Sequence, residues 1–118
     1  MFGQAQRHAA TTLAAIDRTQ ATVTFTPDGK YVLAAIEAEP SDDYQIDPEG
    51  AISVIDISTI AKPVVRTAGF EAWNGKEDAL RAAGVRIYGP GANAARDFEP
   101  EYIAVSADST RAWAVLQE

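Results

Sequence analysis

The chain has 118 residues and a mass of 12.6 kDa, enough for one domain with one modest core. Seventeen acidic against ten basic residues give a net charge of −7, the wrong sign for a protein that binds nucleic acid through its phosphates. The sequence has no cysteine, which excludes a disulfide scaffold and a thiolate-bound zinc or iron site. No apolar run approaches the roughly 18 residues of a membrane-spanning helix, so no membrane insertion is expected. The first residues also lack the apolar segment of a secretory signal peptide.

Residues 1–21 show no sustained periodicity and predict an irregular N-terminal segment. From Thr22 to Thr26 apolar and polar residues alternate with a period of two, which is typical of a half-buried strand. Gly29 follows within a polar turn, where its freedom to take a positive φ suits a tight reversal. Residues 31–36 are then the return strand, and the pattern predicts a hairpin over residues 22–36.

Residues 37–50 form a long polar segment with two prolines, which are unsuited to a central strand. The β-branched run at 51–57 predicts a third strand, and residues 63–67 predict a shorter strand at the edge of the sheet. Asn74 as N-cap, Glu77 three residues later and Gly84 as terminator predict one short helix over residues 75–84.

The region after this helix predicts a short strand or extended segment at 85–88, a loop at 89–95 and a second hairpin at 102–116. A shift of 80 residues superposes the two hairpins, with Val23 on Ile103 and Asp28 on Asp108. Strand, polar turn with an aspartate and strand together form the front half of a propeller blade.

Several segments of the chain resemble bacterial surface β-propellers of the choice-of-anchor I family, over roughly residues 22–118. They are Val23–Leu33, Glu37–Tyr44, Asp47–Gly50, Leu80–Gly91 and Phe98–Ser106. The resemblance implies a propeller domain of an extracytoplasmic or cell-surface protein. Some members are described as alkaline phosphatases, and others are compared with a mesenchyme-specific cell-surface glycoprotein.

The chain departs from the family pattern in two ways. The family's Asn-Glu-Gly motif is replaced by Ala35–Ala38, which weakens any site carried over to that loop. The length accounts for about one and a half blades, whereas a propeller has typically 4 to 8. The resemblance therefore implies a partial propeller over residues 22–118, with unpaired strand edges that favour a homo-oligomer.

The polar segment 37–49 places six carboxylates in thirteen residues with no lysine or arginine among them. Calcium takes six to eight oxygen ligands, which a polar loop of this kind can supply. Glu99 and Glu101 flank Pro100, and residues two apart on an extended segment point the same way, so both carboxylates could reach one cation or one proton-transfer site. The alternatives are a solvated acidic loop and, for the second group, a carboxylate that ends a loop or pairs with an arginine. The predicted metal ligands are Glu37, Asp42, Asp43, Glu99 and Glu101.

Other chemistries find little support in the sequence. His8 is the only histidine, so a Ser-His-Asp enzyme is nearly excluded and a polyhistidine zinc site is excluded. Gly89–Ala94 formally matches a dinucleotide fingerprint, but no βαβ unit surrounds it and a turn is the better interpretation. Trp73 and Trp113 are predicted to pack, Trp113 as a core aromatic on a strand.

These observations predict a mostly β fold of antiparallel β-propeller-like blades, a fragment of the ring with one short inserted helix. The predicted function is a non-catalytic binding or surface-protein module that associates with copies of itself through exposed strand edges. The alternative is a calcium-dependent, phosphoesterase-like hydrolase that uses the five carboxylates named above. No catalytic residue is assigned, and the small-molecule ligand is not predicted.

Overall fold

The computed structural model describes residues 21–117 and divides them into a four-stranded sheet, an insertion and a hairpin. The sheet is an antiparallel meander in the order β1-β2-β3-β4. Its strands are β1 (Ala21–Phe25), β2 (Tyr31–Ile36), β3 (Ala51–Asp56) and β4 (Val64–Gly69). The predicted N-terminal segment lies outside the described residues except for Ala21, with which β1 begins.

Strand β2 lies at the centre of the sheet and is buried on both faces from Val32 to Ala35. Val32 and Ala34 pack with Ile55 of β3 in a core cluster on one face. Fully burying a valine or isoleucine side chain, such as that of Val32 or Ile55, contributes about 1.5–3 kcal/mol to folding. Burial of these aliphatic side chains therefore stabilises the sheet.

Two short α-helices lie in the insertion between β4 and the second hairpin, where the sequence predicted one. They are α1 (Glu77–Ala82), preceded by a single 3₁₀ turn at Glu71–Trp73, and α2 (Ala94–Asp97). Helix α1 ends in a Schellman motif, because the Val85 amide donates to the Leu80 carbonyl and Gly84 has a φ of 94°. Gly84 thus terminates the helix as the sequence indicates.

The predicted capping pair of Asn74 and Glu77 does not cap its own helix. Lys76 occupies the N-cap position of α1 and makes no side-chain capping bond. Instead the Asn74 side-chain oxygen accepts from the Ala95 amide at 2.9 Å, and Glu77 Oε1 accepts from the Ala94 amide at 3.1 Å. The prediction of Asn74 as the N-cap of α1 was wrong. Its side-chain oxygen and that of Glu77 instead accept backbone amides at the N-terminus of α2, which packs against them.

Residues 85–88 carry no strand, and the loop predicted at 89–95 gives way to α2 at Ala94. Asn93 caps α2 through its side-chain oxygen, which accepts from the Arg96 amide at 3.0 Å. Phe98 is buried against Ile87 and meets the ring of Phe70 edge-on at a centroid distance of 5.4 Å. The insertion therefore has a small apolar core of its own.

The second hairpin pairs β5 (Pro100–Val105) with β6 (Ala112–Leu116). Its pairing repeats that of the first hairpin at a shift of 80 residues: Thr24 pairs with Leu33 in the first, and Ala104 pairs with Trp113 in the second. The prediction of Trp113 as a core aromatic was wrong, since 56% of it is exposed. Trp73, at 47% exposure, is also not a core residue. Only one face of a two-stranded hairpin packs on the sheet, and Trp113 lies on the other.

Candidate functional site

Glu37 directly follows β2, and the charges of two other glutamates act on its carboxyl group. Burial raises the pKa of Glu37, and the negative charges of Glu39 and Glu101 raise it further. Glu37 and Glu101 are 64 positions apart in the chain, so the packing of the second hairpin against the sheet brings them together. Two of the five predicted metal ligands are thus close enough to repel one another.

Asp43, another predicted ligand, is engaged in a tight turn. Its Oδ1 accepts from the Ser41 hydroxyl at 2.7 Å and from the Gln45 amide at 3.1 Å. The Ser41 hydroxyl holds the pKa of Asp43 below its usual value, with the Gln45 amide as the second cause. Asp42, which lies between Ser41 and Asp43 in the sequence, is exposed. The hydrogen bonds of Asp43 are those of a structural turn residue.

Glu99 and Glu101 do not share one face of a regular strand as predicted. The pairing of β5 with β6 shifts between Pro100 and Tyr102, so Glu101 is the extra residue of a bulge. Glu99 is buried, and its backbone carbonyl accepts from the Gln117 amide at 2.7 Å. The bulge breaks the alternation on which the prediction depended.

Within residues 21–117, no three acidic or histidine side chains lie close enough together to hold a metal ion. The structure thus brings Glu37 and Glu101 together, whereas Asp43 serves a turn and Glu99 is buried beside the bulge. Calcium binding by the five carboxylates stays a prediction from the sequence.

Among the described residues, the turn at Asp43 is one of three that share the same hydrogen bonds. In each, the serine or threonine two residues before the aspartate donates its hydroxyl to the carboxylate, and the amide two residues after the aspartate donates to the same oxygen. Each hydroxyl also accepts the amide five residues after it. The three turns begin at Thr26, Ser41 and Ser106.

The fourth position of these turns has a positive φ in every case. Gly29, Tyr44 and Ser109 have φ values of 71°, 55° and 61°. The side-chain hydrogen bonds of the turn offset the cost of placing Tyr44 and Ser109 in the left-handed region. Sequence reasoning missed the middle turn, although the Ser41–Asp43 spacing matches that of Thr26 and Asp28.

The two hairpins contact each other directly. Thr24 Oγ1 donates to the Ile103 carbonyl at 3.3 Å, and the Asp28 amide donates to Ser109 Oγ at 3.1 Å. A groove of about 270 Å³ remains between them. It is lined chiefly by Thr26, Tyr31, Leu33 and Val54 from the sheet side and by Val105 and Arg111 from the hairpin.

The fold defines a β-rich module in which a four-stranded antiparallel sheet is followed by a hairpin that repeats its first two strands. The choice-of-anchor I domain family matches residues 6–118, and the chain belongs to this family. The family suggests a surface-associated protein. No curated protein matches the chain. No solved structure matches it.

Over the described residues, none of the helices has the length and apolar character to cross a bilayer.

Replacing Glu37 with glutamine should stabilise the chain slightly at pH 7. The folded state raises the pKa of Glu37, so its ionised form is less favourable there than in the unfolded chain. Removing this charge should add a few tenths of a kcal/mol at most, because solvent screens a partly exposed group. Urea unfolding at pH 7 and pH 3.5 measures the effect.

The gain should fade as the pH drops below the usual pKa of a glutamate, where Glu37 of the parent chain becomes protonated in both states. Glu49→Gln, an exposed residue of the same acidic loop, is the matched control. An equal gain from both substitutions, or a gain that persists at pH 3.5, contradicts the assigned repulsion.

Proposed function

We propose that this chain is a non-catalytic binding module of a surface protein and that it associates with copies of itself through exposed strand edges. The membership of the choice-of-anchor I family supports the surface association. The turn roles of Asp28, Asp43 and Asp108 support a structural use of these acidic side chains. The proposed partner is another copy of the same chain.

The strand order supports an interpretation as propeller blades. Four antiparallel strands in sequential order make one blade, and β5 with β6 makes the front half of the next. Strand β5 packs against β1 and β2, as the inner strands of neighbouring blades do. Within the described residues, no strand pairs with the outer edge of β4.

The observation that carries the proposal is the exposure of β4. This strand forms an edge of the four-stranded sheet, and all six of its residues are exposed. Val64 and Val65 are 48% and 50% exposed. An exposed edge strand that begins with two apolar side chains is a template for a strand of another molecule, because its free backbone groups are open to pairing.

A double substitution of Val64 and Val65 with glutamate should abolish association through this edge. Two added charges on an already acidic chain oppose the approach of a second β4, while the half-exposed valines contribute little to folding. Sedimentation velocity over a range of protein concentrations should show the parent chain as a defined oligomer and the variant reduced to monomer.

The matched control is the double substitution Ile46→Glu/Ile60→Glu. It makes the same change of charge at two aliphatic side chains that are 69% and 70% exposed and lie in loops. This control should keep the parent mass, with unchanged far-ultraviolet circular dichroism for both variants. Equal masses for the parent and the β4 variant would overturn the role of the edge.

A further inference from the structure

The hydrogen bonds of the sheet determine which backbone groups lie on the outer edge of β4. The Ile57 amide donates to the Lys30 carbonyl at 2.9 Å, which makes these two residues a hydrogen-bonded pair between β3 and β2. Bonded and non-bonded pairs alternate along antiparallel strands, so the preceding residue, Asp56, directs its backbone groups to the other side, toward β4. Asp56 lies opposite Val64. The bonded pairs between β3 and β4 therefore include Asp56 with Val64.

The same alternation continues along β4. Arg66 and Ala68 lie opposite Val54 and Ile52 and bond to β3 as Val64 does. The residues between and after them, at positions 65, 67 and 69, consequently direct their amides and carbonyls to the outer edge. These three residues form the row of backbone groups that is open to another strand.

Pro63, directly before β4, limits the length of this row. By the same alternation it occupies an outward position, where a proline costs the sheet no hydrogen bond of its own. It has no amide hydrogen, so it offers no donor to a partner strand. The pairing surface of the edge is therefore residues 65–69.

We infer that β4 pairs antiparallel with β4 of a second copy, so that Thr67 of each chain faces Thr67 of the other across a two-fold axis. This register rests on the proposed self-association through strand edges and specifies its geometry. A two-fold axis makes the edge self-complementary, because each outward amide of one copy meets an outward carbonyl of the other. Thr67 lies at the middle of the row, so this register places Val65 opposite Gly69 of the second copy and uses all the outward groups.

Charge and donor count favour this register over its two neighbours. Pairing centred on Arg66, the one charged residue of β4, places two guanidinium groups directly opposite each other, which destabilises adjacent strands. Pairing centred on Val65 places Thr67 opposite Pro63, which lacks a donor. The register centred on Thr67 instead places Arg66 opposite Ala68, and a facing pair of threonines stabilises adjacent strands.

Single cysteines test the register directly, because the sequence contains no cysteine of its own. Residues of a bonded antiparallel pair lie about 5.5 Å apart at Cα, within the range of a disulfide. Under mild oxidation, Thr67→Cys should therefore form a disulfide-linked dimer. Val65→Cys should not, because its counterpart in the second copy faces Gly69. Ile46→Cys, at a loop residue that is 69% exposed, measures cross-linking by random collision.

The position of any cross-link distinguishes the three registers. Before oxidation, each cysteine variant should have the mass of the parent chain at every concentration. A Val65→Cys disulfide as abundant as that of Thr67→Cys indicates pairing centred on Val65 and overturns the inference. A linked dimer that forms only when the Val65→Cys and Thr67→Cys variants are mixed indicates pairing centred on Arg66 and overturns it as well.

Hydrogen exchange of the unsubstituted chain gives a second readout that depends on no variant. As the concentration rises, the amides of Val65, Thr67 and Gly69 should exchange more slowly, in proportion to the fraction of chain that remains monomeric. The amides of Arg66 and Ala68 already bond to β3 and should slow less.

The two proposals fail in different ways. A mass of 12.6 kDa at every concentration contradicts the self-association itself. A mass that rises with concentration, without the Thr67→Cys disulfide and without slower exchange at the three outward amides, overturns only the pairing of β4 with β4.

Discussion

Gly50→Ala is expected to destabilise the chain by about 3 kcal/mol or more, since overpacking against rigid backbone is among the costliest single changes. Gly50 is buried just before β3, and its amide donates to the Ala95 carbonyl at 3.0 Å. A Cβ at this position would fall onto the Phe98 carbonyl oxygen and come within 2.8 Å of Pro100 Cδ. Neither group can move without shifting the start of the second hairpin.

Gly91→Ala serves as the control for this effect. A Cβ at Gly91 meets no atom within 4 Å, so its cost is only that of a left-handed backbone at a φ of 67°, roughly 1–2 kcal/mol. Urea unfolding followed by circular dichroism compares the two variants with the parent chain. Equal destabilisation by both would contradict the close approach of the insertion to the sheet at Gly50.

Asp97→Ala should cost about 3 kcal/mol, because it leaves two amides at a partly buried site without their acceptor. Asp97 is buried, and its two carboxylate oxygens each accept one amide at 2.9 Å, from Tyr88 and from Gly89. The carboxylate thus holds the extended segment after α1 against α2. Thermal and urea unfolding measure the loss.

Asp97→Asn and Asp78→Ala are the two control variants for this prediction. The asparagine keeps one oxygen as acceptor and should recover part of the stability. Asp78 forms an exposed ion pair with Arg81 at 3.0 Å, and its removal should have little effect. A loss in Asp97→Ala no greater than that in Asp78→Ala would contradict the role of Asp97 in holding the insertion together.

Local patterns account for much of the observed β structure. Alternation and turn residues indicate strands near 22–36, 51–57 and 102–116, and the structure has strands at 21–25, 31–36, 51–56, 100–105 and 112–116. These features depend on residues near each other in sequence, where periodicity and turn chemistry are informative. The bulge at Glu101 and the exposure of Trp113 depend on what packs on each face, which periodicity does not specify.

Only part of the candidate site could be predicted from the sequence. The density of carboxylates in the acidic loop is visible in the sequence, and so is the Ser41–Asp43 spacing that assigns Asp43 to a turn. The approach of Glu101 to Glu37 depends on tertiary packing across 64 positions. The capping of α2 by Asn74 and Glu77 likewise requires the fold, because a capping residue does not specify which helix it serves.

The central claim, that this module associates with copies of itself, is tested most directly by its absolute mass in solution. Light scattering after size exclusion measures that mass for the full chain across a range of concentrations. The account predicts a defined multiple of 12.6 kDa that falls toward the monomer mass in the Val64→Glu/Val65→Glu variant. A mass of 12.6 kDa at every concentration would contradict it.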